Sequence, residues 1–365
     1  MYASPSHPAE ATSVGDGLRA GLAHLLDGLP PRQAARAVER LIATYRGRTP
    51  TDTPVLRDRS DVTAYAAYRM PATFEAVNSA LAAFRASVPG WEPESHTDIG
   101  GGTGAAVWAA EANWPGGNRR TTVLDWAEPA LALGRELAGS AGPAGLRAVE
   151  WRRAVIGDGL RLPETGLVTV SYVLGELTGA DRAAVVGEAA RAALTVVLVE
   201  PGTPEGYLRL REARERLIAA GLRIAAPCPH SAACPMDPGR DWCHFAARVG
   251  RSALHRRVKG GSLPYEDEKF AYVAATRLPA PAPNAETGAE TGAETDGQAP
   301  AGPAVPRVVR HPQIRKGQVL LDLCTPEGTL RRETVTKRHG AGYRRARDTA
   351  WGDTWPPPPA APGAD

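Results

Sequence analysis

The sequence predicts an α/β fold, with a mostly parallel sheet covered by helices on both faces, on three observations. From Thr97 onward, short apolar segments typical of buried strands alternate with segments of helical periodicity. A glycine-rich turn, Gly100–Gly104, stands between the first strand and its helix, and an acidic residue, Asp125, follows the second strand. Strand, glycine turn, helix, strand and acid in this order are typical of a nucleotide cleft at the carboxyl end of a parallel sheet.

Composition places the chain among ordinary globular proteins. Its 365 residues are 43% hydrophobic and 23% charged, and no apolar run approaches the ~20 residues that cross a membrane. Met1–Pro30 lacks the basic start and continuous apolar core of a signal peptide. We therefore expect a cytoplasmic protein, a monomer, with no membrane contact.

The N-terminal region, residues 1–90, is predicted to be a helical layer that precedes the sheet. Residues 1–17 carry no periodic pattern and are expected to be disordered. Helical spacing of apolar residues then predicts three helices, at Gly17–Leu29, Arg32–Tyr45 and Asp61–Ser87.

The second region, residues 91–277, contains the predicted sheet. Seven strands are expected, at Thr97–Ile99, Thr121–Leu124, Ala148–Arg152, Leu167–Tyr172, Thr195–Glu200, Leu222–Ala226 and Phe270–Thr276. Helices fit between them at Thr103–Asn113, Ala127–Ala138, Asp181–Ala193 and Thr203–Ala220. Seven strands with a late antiparallel partner are the arrangement of class I S-adenosylmethionine (SAM)-dependent methyltransferases, a Rossmann-like fold.

The glycine turn alone does not identify the nucleotide. Glycines permit positive φ and close approach of a ligand, and the helix N-terminus behind them offers unpaired N–H groups. Gly100-x-Gly102-x-x-Ala105 also fits the loose dinucleotide pattern, so a nicotinamide cofactor stays open. Asp98 favours SAM, because a carboxylate there repels a pyrophosphate but suits the cationic amino-acid end of SAM.

Two further acids are expected to serve either nucleotide. Asp125 is placed to bind ribose hydroxyls, and Asp158, after the third strand, either meets the adenine amino group or caps a turn. The predicted cofactor-binding residues are Asp98, Gly100, Gly101, Gly102, Gly104, Asp125 and Asp158.

The four cysteines form the second informative pattern. Three of them lie in an insertion, residues 227–262, between the last two predicted strands, and two of these precede proline. The predicted metal ligands are Cys228, Cys234, Cys243 and Cys324. Disulfides are improbable in a cytoplasmic protein. No Cys-x-x-Cys pair typical of zinc occurs, and the spacing favours a [4Fe–4S] cluster over zinc, with four unrelated thiols as the remaining alternative.

The fourth cysteine comes from a separate C-terminal region. Residues 278–306 repeat Ala-Glu-Thr within Pro- and Gly-rich sequence and are predicted to be a flexible linker. In residues 307–355, two strands, Gln318–Cys324 and Leu330–Thr336, predict a β-hairpin around the turn Pro326-Glu327-Gly328. Residues 356–365 are expected to be a disordered tail. A metal bound by all four cysteines would dock this region onto the sheet.

The positive charge is unevenly distributed, although the net charge is only +3. From Arg240 to Lys259 six Lys and Arg face one acid, Asp241, and the tail carries the pairs Arg331-Arg332, Lys337-Arg338 and Arg344-Arg345. Clustered arginines indicate a phosphate-rich partner or, alternatively, a solvated surface.

Several segments resemble a known family. They are Ala64–Thr73, Asp98–Gly104, Val173–Leu177, Glu200–Thr203, Pro227–His230, Glu268–Val273, Cys324 and Trp351–Asp353. Over residues 60–355 the chain resembles the methyltransferase-like proteins of the small ribosomal subunit, whose mitochondrial members are assembly factors. The resemblance implies a SAM-binding methyltransferase fold with SAM at Asp98–Gly104. It also implies a four-cysteine iron–sulfur cluster and association with small-subunit ribosomal RNA.

Catalysis is left open by the residues after the fourth strand. Amino-methylating enzymes commonly present Asn/Asp-Pro-Pro-Tyr there, whereas this chain reads Ser171–Glu176. Glu176 is the one plausible acid–base group, and its simpler interpretation is a packing carboxylate, so we assign no catalytic residue. Three hypotheses follow: an RNA-binding assembly factor, an active ribosomal RNA methyltransferase, and a nicotinamide-dependent oxidoreductase with a zinc-stabilised lobe.

Overall fold

A mixed eight-stranded sheet forms the centre of the protein in the computed structural model. The structure describes residues 13–27, 30–46, 59–116, 118–259, 262–280 and 305–357. The strands of this sheet are β1 (Ser95–Ile99), β2 (Arg120–Asp125), β3 (Glu150–Arg153), β4 (Thr165–Ser171), β5 (Ala193–Pro201), β6 (Arg223–Ala226), β7 (Phe245–Gly250) and β8 (Tyr265–Thr276).

The strand order confirms the methyltransferase arrangement. Neighbouring strands follow the order β3-β2-β1-β4-β5-β8-β6, and β7 adds to β8 outside this path. β1 to β5 are parallel, whereas β8 runs antiparallel to β5 and to β6. The seven predicted strands are those of the path, so the α/β class I fold follows from topology.

Helices cover both faces of the sheet. They are α1 (Val14–Leu25), α2 (Pro31–Arg46), α3 (Arg59–Ser87), α4 (Ala105–Asn113), α5 (Glu128–Ala141), α6 (Ala144–Arg147), α7 (Gly179–Ala192), α8 (Pro204–Ala219) and α9 (Ala253–Lys259). Because side chains alternate along a strand, Val197 and Val199 of β5 pack in one core with α1, α3, α4 and α5. Val196 and Leu198 pack on the other face with α7 and α8. The described helices include none with the length and apolarity to cross a membrane.

The insertion, predicted as a turn-rich loop, contains a strand that the sequence analysis missed. In β7, Phe245, Ala247 and Val249 are buried and alternate with exposed residues, which is the period of a half-covered strand. β7 pairs with residues 265–270 of β8, so β8 begins five residues before the predicted strand. The insertion is therefore a continuation of the sheet.

The C-terminal region confirms the predicted hairpin and extends it. Strands β11 (Gln318–Cys324) and β12 (Leu330–Thr336) have the predicted bounds and pair antiparallel, with Cys324 opposite Leu330. The short strands β9 (Arg307–Val308) and β10 (Gln313–Arg315) complete a four-stranded sheet, which a 3₁₀ turn (Lys337–His339) and α10 (Ala341–Asp348) follow. We call residues 305–357 the C-terminal unit.

Parts of the predicted flexible segments lie outside the described residues. These are residues 1–12 of the N-terminal segment, residues 281–304 of the predicted linker and residues 358–365 of the predicted tail. Their predicted disorder therefore stays a prediction, as do the predicted domain boundaries. The prediction of disorder was wrong for residues 14–17, which form the first turn of α1, because Ser13 caps the helix by accepting from Asp16 N.

Candidate functional site

The glycine loop leaves β1 and closes over the carboxyl end of the sheet. The N–H of Gly100 donates to Leu124 O at 2.7 Å, and the N–H of Gly104 donates to Gly101 O at 2.7 Å, so the turn is tight. Gly100, Gly102 and Gly104 have positive φ, which side-chain-bearing residues rarely adopt. Gly104 caps α4 without a side-chain hydrogen bond. The first N–H groups of this helix are thus available to a ligand.

Asp98 lies beneath this loop, fully buried. Its Oδ1 accepts a hydrogen bond from Thr169 Oγ1 at 2.7 Å, while Oδ2 has no hydrogen-bond partner among the described residues. Burial raises the pKa of Asp98 to about 7, and the charge of Asp125 adds to this effect. A buried carboxylate with one unpartnered oxygen has interaction capacity left for a cationic ligand.

Asp125 ends β2 on the opposite wall of the loop. Its Oδ2 accepts from Gly102 N at 2.9 Å and its Oδ1 from Ala127 N at 2.8 Å. Each carboxylate oxygen retains a lone pair for a ribose hydroxyl. The next residue, Trp126, is 50% exposed, which is unusual for so large an apolar ring and offers a stacking face beside the loop.

Asp158 follows β3, and its backbone is already engaged. Its N–H donates to Asp181 Oδ1 at 3.3 Å, and its carbonyl accepts from Arg161 at 3.0 Å. The carboxylate is exposed. The adenine contact of Asp158 stays a prediction, because the turn it occupies is also held by these two bonds.

Tyr172 occupies the position after β4 and is held from two sides. Its hydroxyl donates to Glu268 Oε1 at 2.9 Å, and the Arg69 guanidinium lies over its ring at 4.8 Å. Arg69 also forms two hydrogen bonds with the Glu268 carboxylate, at 2.7 and 3.1 Å. Tyr172 is the one non-glycine residue with positive φ in the described part of the chain, at 60°. A strained backbone fixed by an ion pair marks this position as structurally specified.

Glu176 stands nearby in the turn before α7. Although its side chain reaches solvent, reduced solvation raises its pKa to about 7, helped by the charges of Asp125 and Glu200. A carboxyl group that titrates near neutrality suits general acid–base chemistry.

A cavity between the insertion and the C-terminal unit is lined by all four cysteines, Cys228, Cys234, Cys243 and Cys324. The cavity volume is about 50 Å³, whereas one water needs ~10–15 Å³. Cys324 comes from β11, so the docked C-terminal unit brings the most distant predicted ligand to the other three.

The surroundings of the cysteines are strongly cationic. Arg214 lines the cavity from α8 and donates to the carbonyls of His230 and Ala232 at 2.9 and 2.8 Å. Arg307 lines it from β9 and donates to Pro227 O at 3.0 Å. Burial raises the pKa of the Cys324 thiol to about 12, and the charges of the neighbouring thiols Cys228 and Cys234 contribute. Burial therefore favours the neutral form of the Cys324 thiol, although guanidinium groups line the same cavity.

The described residues do not form a recognisable metal-binding site. No group of three or more His, Cys, Asp or Glu within the described ranges is arranged to hold a metal ion. The metal-ligand role of the four cysteines therefore stays a prediction. The imidazole of His230 lies next to one of these thiols, with its Nε2 3.4 Å from Cys324 Sγ.

The central basic patch is less cationic than its sequence indicates. Arg248 pairs with Asp267 at 3.0 Å and Arg251 with Glu266 at 3.1 Å. Arg240 lies 3.7 Å from Asp237. The acids of β8, 15 to 19 residues away in sequence, neutralise part of the patch.

The C-terminal unit carries the larger excess of positive charge. It holds eleven Lys and Arg against five Asp and Glu. Six exposed cations of this unit form neither an ion pair nor a side-chain hydrogen bond with any described residue, namely Lys316, Lys337, Arg338, Arg344, Arg345 and Arg347, whereas the exposed Arg315 donates to Gln313. Lys337 donates its N–H to Gly317 O at 3.1 Å, which puts Lys316 and Lys337 at one corner of the unit.

Sequence reasoning missed the partners that set these sites. Thr169, Arg69 and Glu268 meet the cleft from elements far away in the chain. Arg69 and Glu268 lie in two of the segments that resemble the family, but the sequence does not show that they contact each other. Trp126 could have been identified from the sequence, because it directly follows Asp125, the acid that ends β2.

Comparison with known families gives one match across most of the chain. The family described as mitochondrial small ribosomal subunit Rsm22 matches residues 59–356.

Two relatives are ribosome assembly proteins by name. Human mitochondrial ribosome assembly protein METTL17 is 28% identical over 313 residues, which cover 80% of this chain and 62% of the human protein. Mitochondrial ribosome assembly protein RSM22 of Saccharomyces cerevisiae is 24% identical over 179 residues, covering 37% of this chain and 28% of the yeast protein. The chain thus spans less than two thirds of the length of either relative.

Solved structures with the same kind of fold are distant. A putative RNA methyltransferase from Pyrococcus horikoshii is 14% identical, with a TM-score of 0.38, over 67% of this chain and 96% of that one. A SAM-dependent methyltransferase from Aquifex aeolicus is 16% identical, with a TM-score of 0.37, over 61% of this chain and 100% of that one. The strand order of the central sheet therefore carries the fold assignment.

Proposed function

The chain belongs to the Rsm22 family, and from that premise we propose that it is a small-ribosomal-subunit assembly protein. In this proposal it binds SAM at the glycine loop, holds a [4Fe–4S] cluster between its four cysteines and contacts ribosomal RNA. One observation carries the proposal: the matched residues, 59–356, include the loop, all four cysteines and the C-terminal unit. The names of the human and yeast relatives point to the same role.

The residues around the loop fit SAM. The unpartnered Asp98 oxygen suits the ligand's ammonium group, and the uncapped start of α4 suits its carboxylate. Asp125 can accept from the ribose hydroxyls, and Trp126 offers a face to the adenine ring. The antiparallel strand between β5 and β6 also favours the methyl donor over a nicotinamide dinucleotide.

Titration calorimetry tests this site. We expect heat on adding SAM or its demethylated product, S-adenosylhomocysteine (SAH), and none on adding NADH. Binding of NADH with no response to either methyl-cycle compound would instead support the oxidoreductase hypothesis.

The cysteine cavity fits an anionic polyatomic cluster better than a single ion. Four soft thiol donors surround room for several atoms, and Arg214 and Arg307 offset the negative charge that metal-bound thiolates carry. Zinc stays the alternative, since the same donors bind it. When bound, the group would contribute stability by joining the insertion to the C-terminal unit.

Metal analysis separates the two. Protein purified without oxygen should be brown, contain iron and acid-labile sulfide in similar amounts and absorb broadly in the visible range. Colourless protein with one equivalent of zinc would reject the cluster.

RNA contact is proposed mainly for the C-terminal unit. Its six unpaired cations are free to replace counterions on phosphates, whereas Arg248 and Arg251 of the central patch already face carboxylates. Arg256 and Arg257 remain exposed in that patch and are the second candidate surface.

Paired variants test this assignment. Arg344→Gln with Arg345→Gln should weaken binding to small-subunit RNA severalfold and reduce the salt slope by about 1 to 2. Arg256→Gln with Arg257→Gln should have a smaller effect, and Arg248→Gln serves as the ion-paired control. Equal losses in all three would contradict the assignment, and salt-independent binding would remove RNA as the partner.

Methyl transfer is the second candidate function, favoured by Glu176 and its raised pKa. Against it, Tyr172 and its ion pair fill the position where amino-methylating enzymes hold the target nitrogen. Labelled methyl from SAM should enter small-subunit RNA if the protein is an enzyme, and Glu176→Ala should reduce it. No transfer to any assembly intermediate supports a binding role alone.

The compartment follows from the partner. The relatives named above are mitochondrial, whereas the sequence led us to expect the cytoplasm. The proposal requires a compartment that assembles small ribosomal subunits, and co-fractionation with those particles tests it.

A further inference from the structure

We propose that Thr169 and His96 are positioning residues that fix the Asp98 carboxyl group beneath the glycine loop and favour its ionised form, which the cationic end of SAM then binds. This inference rests on the proposed SAM site and names the residues that control the ionisation of Asp98 there. The three side chains form a buried hydrogen-bonded series, and two of them lie outside the glycine loop motif.

The register of two parallel strands creates the chain. β1 lies next to β4 with Asp98 opposite Thr169 and His96 opposite Leu167, so the side chains of His96, Asp98 and Thr169 project from the same face. His96 Nε2 lies 2.8 Å from Thr169 Oγ1, and Thr169 Oγ1 lies 2.7 Å from Asp98 Oδ1. Their exposures are 1%, 1% and 0% for His96, Thr169 and Asp98.

The hydrogen-bonding rules fix the direction of these bonds. A hydroxyl has one proton, and when Asp98 is ionised Thr169 must donate that proton to it. Thr169 then accepts from His96, which requires the neutral imidazole with its proton on Nε2. Two observations agree: His96 Nδ1 has no partner in the described part of the chain, and burial lowers the pKa of His96 to about 3. The imidazole is therefore a neutral donor at physiological pH.

The chain satisfies only one of the two carboxylate oxygens. Asp98 Oδ2 lies against the loop, since a Cβ built on Gly101 would be 2.3 Å from it. With that oxygen unpartnered among the described residues, ionisation of Asp98 is unfavourable without a ligand. A cation at the loop supplies the missing interaction, so we expect SAM binding to favour the ionised form.

Affinity must then depend on pH. Asp98 is ionised above its pKa, so affinity for SAM and SAH should rise as pH increases through about 7. The charged groups that act on this chain are Asp125 at the end of β2, which opposes ionisation, and Arg119 before β2, which keeps His96 neutral. Across the cleft, the pKa of Glu176 is raised by reduced solvation and by the charges of Asp125 and Glu200.

Removing the Thr169 hydroxyl tests the proposal. We expect Thr169→Val to weaken SAH binding about tenfold at pH 7 in the full chain and to shift the midpoint of the affinity–pH curve to higher pH. Thr169→Ser should restore both, because it returns the donor. His96→Leu should shift the midpoint in the same direction by less. Calorimetric titration with SAH from pH 5.5 to 8.5 measures all of these.

A matched substitution controls for packing. Thr195→Val removes another buried sheet hydroxyl, which pairs with Thr276 at 2.9 Å, and should leave affinity and midpoint unchanged. An unchanged pH midpoint in a folded Thr169→Val, or a Thr169→Ser that fails to restore it, would overturn the positioning role. If the wild-type protein binds neither SAM nor SAH at any pH, the proposed site itself fails.

Discussion

The glycine loop and the cysteine cavity are built in opposite ways. The loop is one continuous segment, Asp98–Gly104, and backbone bonds within the turn and to the neighbouring strand β2 hold it. The cavity needs the C-terminal unit, because eighty residues separate Cys243 from Cys324. The loop is therefore preformed by the sheet, whereas the cavity exists only while two parts of the chain stay docked.

The two sites also treat buried charge differently. Beneath the loop, one carboxylate is supported by a neutral donor chain. Around the cavity, the cysteines lie beside arginines that have no carboxylate among the cavity-lining residues described. The arrangement beneath the loop suits a cationic ligand, and the arrangement around the cavity suits an anionic one.

The largest expected effect breaks the cavity. If the cluster is present, Cys324→Ala should eliminate its iron, because the substitution removes the proposed ligand that joins the two parts. Iron and sulfide analysis of anaerobically purified protein measures this, with Thr334→Ala on the adjacent strand as the control. Full iron content in Cys324→Ala would show that the C-terminal unit does not complete the site.

The next effect breaks the loop through its backbone. Gly104→Ala should destabilise the fold by about 2–4 kcal/mol, from positive-φ strain and a clash. The new Cβ would lie 2.5 Å from Trp151. Gly116→Ala has positive φ with no atom within 4 Å, so it should cost about 1 kcal/mol from strain alone. Urea unfolding compares them, and equal losses would mean that Trp151 moves aside freely.

Docking of the C-terminal unit can be weakened without touching a thiol. Arg307 of the C-terminal unit joins the two parts by donating to Pro227 O at 3.0 Å, and it also donates to Gly352 O of its own unit at 2.8 Å. Arg307→Met should cost about 1–3 kcal/mol, since both carbonyls lose a charged donor. Arg315→Met, at an exposed strand, is the control in the same urea titration. A loss no greater than that of the control would place the docking energy elsewhere.

The smallest effect is a gain in stability. The pKa of Asp98 is raised to about 7 in the folded protein, so the folded state holds a proton that the unfolded chain releases between about pH 4 and 7. Stability therefore falls as pH rises through that window. Asp98→Asn should remove this loss and gain on the order of 1–2 kcal/mol at pH 8 but little at pH 4, while SAM binding disappears. A pH-independent difference in thermal unfolding would contradict this.

The sequence predicted what depends on local patterns. The path strands from β1 to β8, the hairpin of β11 and β12, and the loop all follow from periodicity, turn residues and glycine spacing. β7 was missed because cysteines and prolines before it indicated a loop, although its alternation was present.

Side-chain partners across the fold were beyond such patterns. His96 and Thr169 are 73 residues apart, and Arg69 and Glu268 are 199 apart. Only strand register and helix placement bring these pairs together. The carboxylates of β8 that neutralise the central patch escaped notice for the same reason.

The long strand β8 has a consequence for cooperativity. Its later residues pair with β5 and β6 and its earlier ones with β7. Among the earlier residues, Glu268 lies opposite Ala247 of β7 and holds Arg69 and Tyr172 at the cleft. Because one strand serves both regions, loss of pairing with β7 weakens the pairing with β5 and β6, and the reverse also holds. We therefore expect the two regions of the sheet to unfold in a single calorimetric peak.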